Sequence, residues 1–252
     1  MKGTFIKIAA MAVMLSSGLV WAQKQPKPKS QKEVDAIMAM QNAPDPDSRI
    51  KAAKDLIVKF ADTEFKPFAL QMIVQSYQQK NDIDNTIVSA EQLLEADPKS
   101  YIAQLAIAGT LAQKTREFDL DKEEKLSRAE KMALGAIESI KVAEKINPQV
   151  PDAQWESFKK DQTSEAYQAM GLIAMVRKKY DAAAKSFKDS VDVAATPDPA
   201  TMVRLAAAYN LSGKPAEALP VLDKVLGTPG LHPAIKQFAD QEKARSVAAT
   251  KK

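Results

Sequence analysis

The 252-residue chain carries 36 Lys and Arg against 32 Asp and Glu, is 45% hydrophobic, and has one histidine and no cysteine. A chain of this make-up is long enough for a sizeable core and lacks the basic excess of a nucleic-acid binder. It cannot form disulfides, thiolate metal sites, a cysteine nucleophile or a lipid-modified N-terminal cysteine, so packing alone must hold it together.

The N-terminal stretch "MKGTFIKIAAMAVMLSSGLVWAQ" sets Lys2 and Lys7 before an apolar run from Ile8 to Trp21 that closes on Val20-Trp21-Ala22. This is the layout of a secretory signal peptide over residues 1–22, cut between Ala22 and Gln23. The run is about 14 residues long and contains Ser16, Ser17 and Gly18, whereas a bilayer span takes about 20 apolar residues, so a cleaved leader is preferred to an uncleaved anchor. Cleavage removes two of the 36 cations and leaves 34 against 32 anions. The expected destination is the periplasm or the exterior, in the style of a bacterial cell envelope. Residues 23–32, "QKQPKPKSQK", are rich in Pro, Lys and Gln with no large apolar residue, and read as a flexible basic linker.

From residue 33 the apolar spacing is helical throughout, and the body 33–252 reads as all-α. Leu70, Ile73, Val74 and Tyr77 fall at i, i+3, i+4 and i+7. Tyr167, Met170, Gly171 and Ala174 repeat the spacing, as do Met202, Leu205, Ala206 and Tyr209. Each set is followed by a short polar turn and a second helix; a small residue with an apolar one four later recurs as Ala52 then Leu56, Ala183 then Phe187, and Ala218 then Leu222, while the unit from 67 departs with Thr86 and Ala90 at those places. Units start near 67, 101, 164 and 199, with a degenerate unit near 33 and a lone cap helix over 233–249. The step from 101 to 164 is too long by about one unit. Its excess, within 115–163, reads as a long-helix insertion in which Leu126, Ala129, Ala133, Ala136, Ile140 and Ala143 form a stripe. Such a stripe needs a close helical partner, in this chain or in another. Trp155 and Phe158 follow it, either packing the insertion down or forming an aromatic docking site.

The period of about 34, with a bulky residue, an apolar residue beside Gly or Ala, an aromatic, a turn, Ala and then a bulky residue, resembles the tetratricopeptide repeat. The residues carrying the resemblance are Tyr77, Gly171, Ala183, Phe187, Ala206, Tyr209, Ala218 and Leu222. It implies a right-handed α-solenoid of antiparallel helix pairs with a long-helix insertion. In such arrays the first helices line a concave groove. The resemblance assigns ligand contacts to Phe68, Gln71, Gln75, Gln78 and Gln79 of the unit from 67, to Gln168, Leu172 and Met175 of the unit from 164, and to Val203 and Asn210 of the unit from 199. The family's clamp for a peptide carboxylate needs Lys or Arg where Gln71 and Val203 stand and Asn where Gln75 and Ala207 stand, so that sub-type is not expected.

No catalytic or cofactor motif competes with this reading. A single histidine, His232 in "LHPAI", cannot build a multi-histidine metal site and suits a helix cap. The glycines form neither G-x-G-x-x-G nor G-x-x-x-x-G-K, and G-x-S-x-G is absent. The expectation is a non-enzymatic scaffold or adaptor of the cell envelope, without metal or cofactor, that binds a peptide or protein segment in its groove. Nucleic acid is not an expected partner, and neither is a membrane once the leader is removed. The alternative is a membrane-associated assembly factor held by an uncleaved N-terminus or the basic tail.

Overall fold

The computed structural model describes residues 26–145 and 147–251; the leader expected over residues 1–22 and the cut site expected at Ala22 and Gln23 lie outside them. Among the described residues there are eleven helices and no strand. Five consecutive pairs are α1 (Gln31–Gln41) with α2 (Pro46–Lys59), α3 (Lys66–Gln79) with α4 (Ile83–Ala96), α5 (Tyr101–Lys114) with α6 (Lys122–Lys141), α7 (Asp152–Val176) with α8 (Tyr180–Val193), and α9 (Pro199–Leu211) with α10 (Pro215–Leu226). A single helix, α11 (Pro233–Thr250), closes the array.

Local chemistry sets the boundaries. The side chains of Asp45, Asp82, Ser100 and Asp198 each accept a backbone N–H in the first turn of the helix they precede, satisfying donors that have no partner within it. His232 does the same through Nδ1, which accepts the Ala234 N–H at 3.2 Å. The turn inside three pairs is one motif repeated. Asn81, Lys178 and Gly213 sit at φ of 53°, 59° and 77°. The next residue's N–H then bonds five back, Asp82 to Tyr77, Lys179 to Ala174 and Lys214 to Tyr209, at 3.0, 2.9 and 2.8 Å. That left-handed residue and its closing bond are a helix C-cap that reverses the chain at once. Lys178, one of the cations of "RKKYD", is therefore a turn residue.

The core is a band along the array. Each helix packs on the next, and the first helices also meet one another, α3 with α5, α5 with α7, and α9 with α11. Ala183, Ala206, Ala218, Phe187 and Leu222 are fully buried, and Tyr77 and Tyr209 are half-buried. Gly171 faces the Phe187 ring so closely that a Cβ there would lie 2.5 Å from ring carbons. No pair could bury its apolar face without its neighbours, which is the energetic basis of a solenoid.

The excess residues after 114 lengthen two helices. α6 is itself the second helix of the pair begun by α5, with 20 residues, and α7 has 25, adding residues 152–163 ahead of the expected start at 164. Leu126, Ala129, Ala133, Ala136 and Ile140 are buried inside this chain, with α6 packed on α5 and α7. Ala143, expected in the same stripe, falls beyond the helix end. Pro148 and Pro151 bias the residues just before them, Asn147 and Val150, away from helical backbone. Arg177, only 14% exposed, fastens α7 back onto α6. Its Nε donates to Glu123 at 3.0 Å, Nη1 to Glu130 at 2.7 Å, and Nη2 to the Ser127 hydroxyl at 3.1 Å.

The basic segment before α1 is not free along its whole length. The Lys27 N–H donates to Glu64 at 3.1 Å and the Lys29 ammonium to Asp62 at 2.6 Å. Acidic residues of the α2–α3 turn supply the charge complement that composition alone did not show. Among the described residues no helix is long and apolar enough to cross a membrane.

Candidate functional site

The first helices of three successive pairs, α3, α5 and α7, enclose a cleft of about 660 Å³. One wall is α3, through Gln71, Gln75 and Gln78. The floor is α5, through Ile102, Leu105, Gly109 and Gln113. The far wall is α7, where Trp155, Phe158, Gln162, Glu165, Gln168 and Leu172 follow one another at steps of three or four along one face. The part of that wall ahead of 164 exists because α7 is lengthened.

The cleft has two chemistries. At one end Trp155 and Phe158 stack with centroids 5.4 Å apart, and Tyr101 meets Phe158 edge-on at 6.4 Å. Burial holds the Tyr101 hydroxyl above its ordinary pKa. Along the rest run side-chain amides. Gln162 donates to Glu165 at 3.4 Å and Gln168 to the Thr201 hydroxyl, whereas those of Gln71, Gln75, Gln78 and Gln113 have no partner among the described residues. Each such amide can both donate to and accept from a peptide backbone. Glu165 is exposed at the mouth of the cleft yet flanked by its walls. Loss of water, and then the negative charge of Asp161, hold its carboxyl above the usual range, while the Gln162 bond opposes the rise.

Of the ten groove residues expected from the sequence, Gln71, Gln75, Gln78, Gln168 and Leu172 line the cleft. The other five do not. Phe68 is half-buried against the core, and Gln79 turns away to accept from Arg49 at 3.3 Å. Met175 packs on the α7–α8–α9 core, and Val203 is buried at 8% exposure. Asn210 is consumed by the cap: its Nδ2 donates to the Glu242 carboxylate at 2.8 Å and its Oδ1 accepts from the Ser246 hydroxyl at 2.7 Å. At α9 Val203 and Asn210 stay out of the cleft, and α11 packs beside that helix as the next first helix would.

Residues missed by the sequence reading had a signal. Phe68, Gln71, Gln75 and Gln79 stand 1, 4, 8 and 12 residues after Pro67, and the same offsets from Tyr101 reach Ile102, Leu105, Gly109 and Gln113. Counting from Ser164 reaches Glu165 as well. The aromatic end had no such register, since it depends on the lengthened α7. Among the described residues no group of three or more His, Asp or Glu is placed to hold a metal ion.

No protein-family model matches the chain, and no curated protein matches it in sequence. Solved structures do match it in shape. TTC0263, a thermophilic tetratricopeptide protein in Thermus thermophilus, superposes with a TM-score of 0.53 at 15% identity, over 84% of this chain and 95% of that one. The chain has a tetratricopeptide-repeat fold. MamA matches equally, with a TM-score of 0.53 and 15% identity over 84% of this chain and 94% of its own. In this tetratricopeptide array, the cleft is formed by successive first helices.

Proposed function

We propose that the protein is a non-enzymatic interaction scaffold of the cell envelope and that the α3–α5–α7 cleft holds an extended segment of a partner protein. The observation that carries the reading is the wall of unpartnered amides facing an aromatic end across an apolar floor. Amides match an extended backbone, which has unsatisfied donors and acceptors at regular spacing, and an apolar shelf gives one side chain a buried anchor. The envelope part of the reading rests on the leader. A membrane role for the basic tail has less support, because Lys29 is already engaged by Asp62.

A photo-crosslinking residue at Gln75 tests the cleft. It should trap a partner segment, and the adduct should vanish in Gly109→Trp, which fills the cleft at a position where a Cβ meets nothing within 4 Å. The same crosslinker at Lys185, exposed on α8, should trap nothing comparable. Equal adducts from both positions, unaffected by the filled cleft, would remove the cleft from the account. Recovery of the envelope fraction with a chain that starts at Gln23 tests the location.

A further inference from the structure

The two ends of the cleft differ in charge as well as in shape. At the aromatic end Phe158 is 39% exposed, and the local cation, Lys145, is already held by Asp152 and by the Val150 carbonyl. Farther along α7, Glu165 opens to the cleft with no cation paired to it among the described residues. Its surroundings are the Gln162 amide and Asp161, and Asp161 is itself used to accept the Ala195 N–H at 2.9 Å. A carboxylate at the mouth of the cleft, beside a second acid and without a paired cation, is stabilised most by a cation brought in from outside.

Spacing adds a second constraint. Phe158 and Glu165 are seven residues apart on one helix, about 10 Å along its axis. In a polyproline II segment residues i and i+3 lie on one face about 9 Å apart, whereas i and i+2 of a strand lie about 6.6 Å apart. The polyproline spacing comes nearer to this separation than either same-face strand spacing, about 6.6 Å for i and i+2 or about 13 Å for i and i+4.

We infer that the cleft selects a polyproline-II-like segment whose bulky apolar side chain rests on the Tyr101–Trp155–Phe158 shelf and whose Lys or Arg, three residues away, pairs with Glu165. The inference rests on the cleft being a peptide site and adds the partner's chemistry and register. Arg suits the position best, since its fork can donate twice to one carboxylate.

Selection of a displayed library of random dodecapeptides on the immobilised full-length chain tests it. The expected winners carry Lys or Arg three residues from a bulky apolar residue. They should bind about tenfold more weakly to Glu165→Gln, the loss of one charge-assisted pair. Repeating the selection on Glu165→Lys should enrich Asp or Glu at the same position. Circular dichroism of both variants checks that the exposed substitution leaves the helices intact. Winners that lose binding in Gly109→Trp but show no basic preference, or no change of preference with Glu165→Lys, would overturn the charge assignment and leave the cleft standing. If no winner depends on the open cleft, both readings fall.

Discussion

Three glycines inside helices separate packing from propensity, because adding the same methyl group should have different outcomes. At Gly109 in α5 a Cβ meets nothing within 4 Å. Gly109→Ala should therefore gain the helix-propensity difference, about 0.5–1 kcal/mol. At Gly135 in α6 the nearest atom is Gln104 Nε2 at 3.2 Å, the tip of a flexible side chain, so a few tenths of an ångström of yielding should cost part of that gain. At Gly171 the new Cβ would lie 2.5, 2.5 and 2.8 Å from Cδ1, Cε1 and Cζ of Phe187. That ring is fully buried and has nowhere to swing. Overpacking costs about 1–3 kcal/mol, which outweighs the propensity gain and leaves Gly171→Ala about 1–2 kcal/mol less stable than the parent. Urea unfolding followed by far-ultraviolet circular dichroism reads all three, as midpoint shifts at unchanged slope. Phe187→Leu should soften the effect, making Gly171→Ala/Phe187→Leu less damaging than the sum of its parts by more than about 0.5 kcal/mol. If Gly171→Ala proved as stable as Gly109→Ala, or the pair were additive, the close approach of α7 to α8 would not be what holds this contact.

Three other outcomes follow from the same contacts. Arg177→Ala should lower the urea midpoint by the equivalent of about 1 kcal/mol and raise hydrogen exchange in α6, because it removes the cation of Glu130 and leaves Glu123 only Lys122 at 3.7 Å; Arg177→Lys should recover only part, as a point charge cannot span both carboxylates and Ser127. Glu165→Gln should raise thermal stability at neutral pH. The native carboxyl keeps its proton to higher pH than the unfolded one, so the parent loses stability as pH rises from the ordinary glutamate range through the raised native value. The advantage of Glu165→Gln should therefore disappear in melts run below that range. Asn210→Ala should fray α11, with faster exchange over 233–250 and a loss of about 1 kcal/mol for its broken side-chain bonds, while leaving cleft binding unchanged.

Much of the fold was legible because it is local and repeated. Tyr77 and Tyr209 mark first helices at matching positions, and Ala183 with Phe187 and Ala218 with Leu222 mark second helices, so spacing alone locates the pairs. The turns at Asn81, Lys178 and Gly213 were visible as polar interruptions, though the left-handed residue in each is a property of backbone geometry that Asn and Lys do not announce as Gly does. The site was half legible. Gln71, Gln75, Gln78, Gln168 and Leu172 share a helix face that periodicity finds. Asn210 could not be placed without knowing that α11 packs where another first helix would. The shelf of Tyr101, Trp155 and Phe158 joins α5 to the lengthened start of α7 across more than 50 residues, a contact that spacing within one helix cannot express. Arg177 likewise reads as one more cation in a turn until α6 brings Glu123 and Glu130 to it.

The most direct measurement of the central claim is hydrogen–deuterium exchange of the full chain, free and bound to a peptide selected from the random library. Recognition in the cleft predicts added protection in α3, in α5 and in α7 from Trp155 to Leu172, with the second helices α2, α4, α8 and α10 unchanged. Protection concentrated on those second helices, or on α9 and α11, would contradict it.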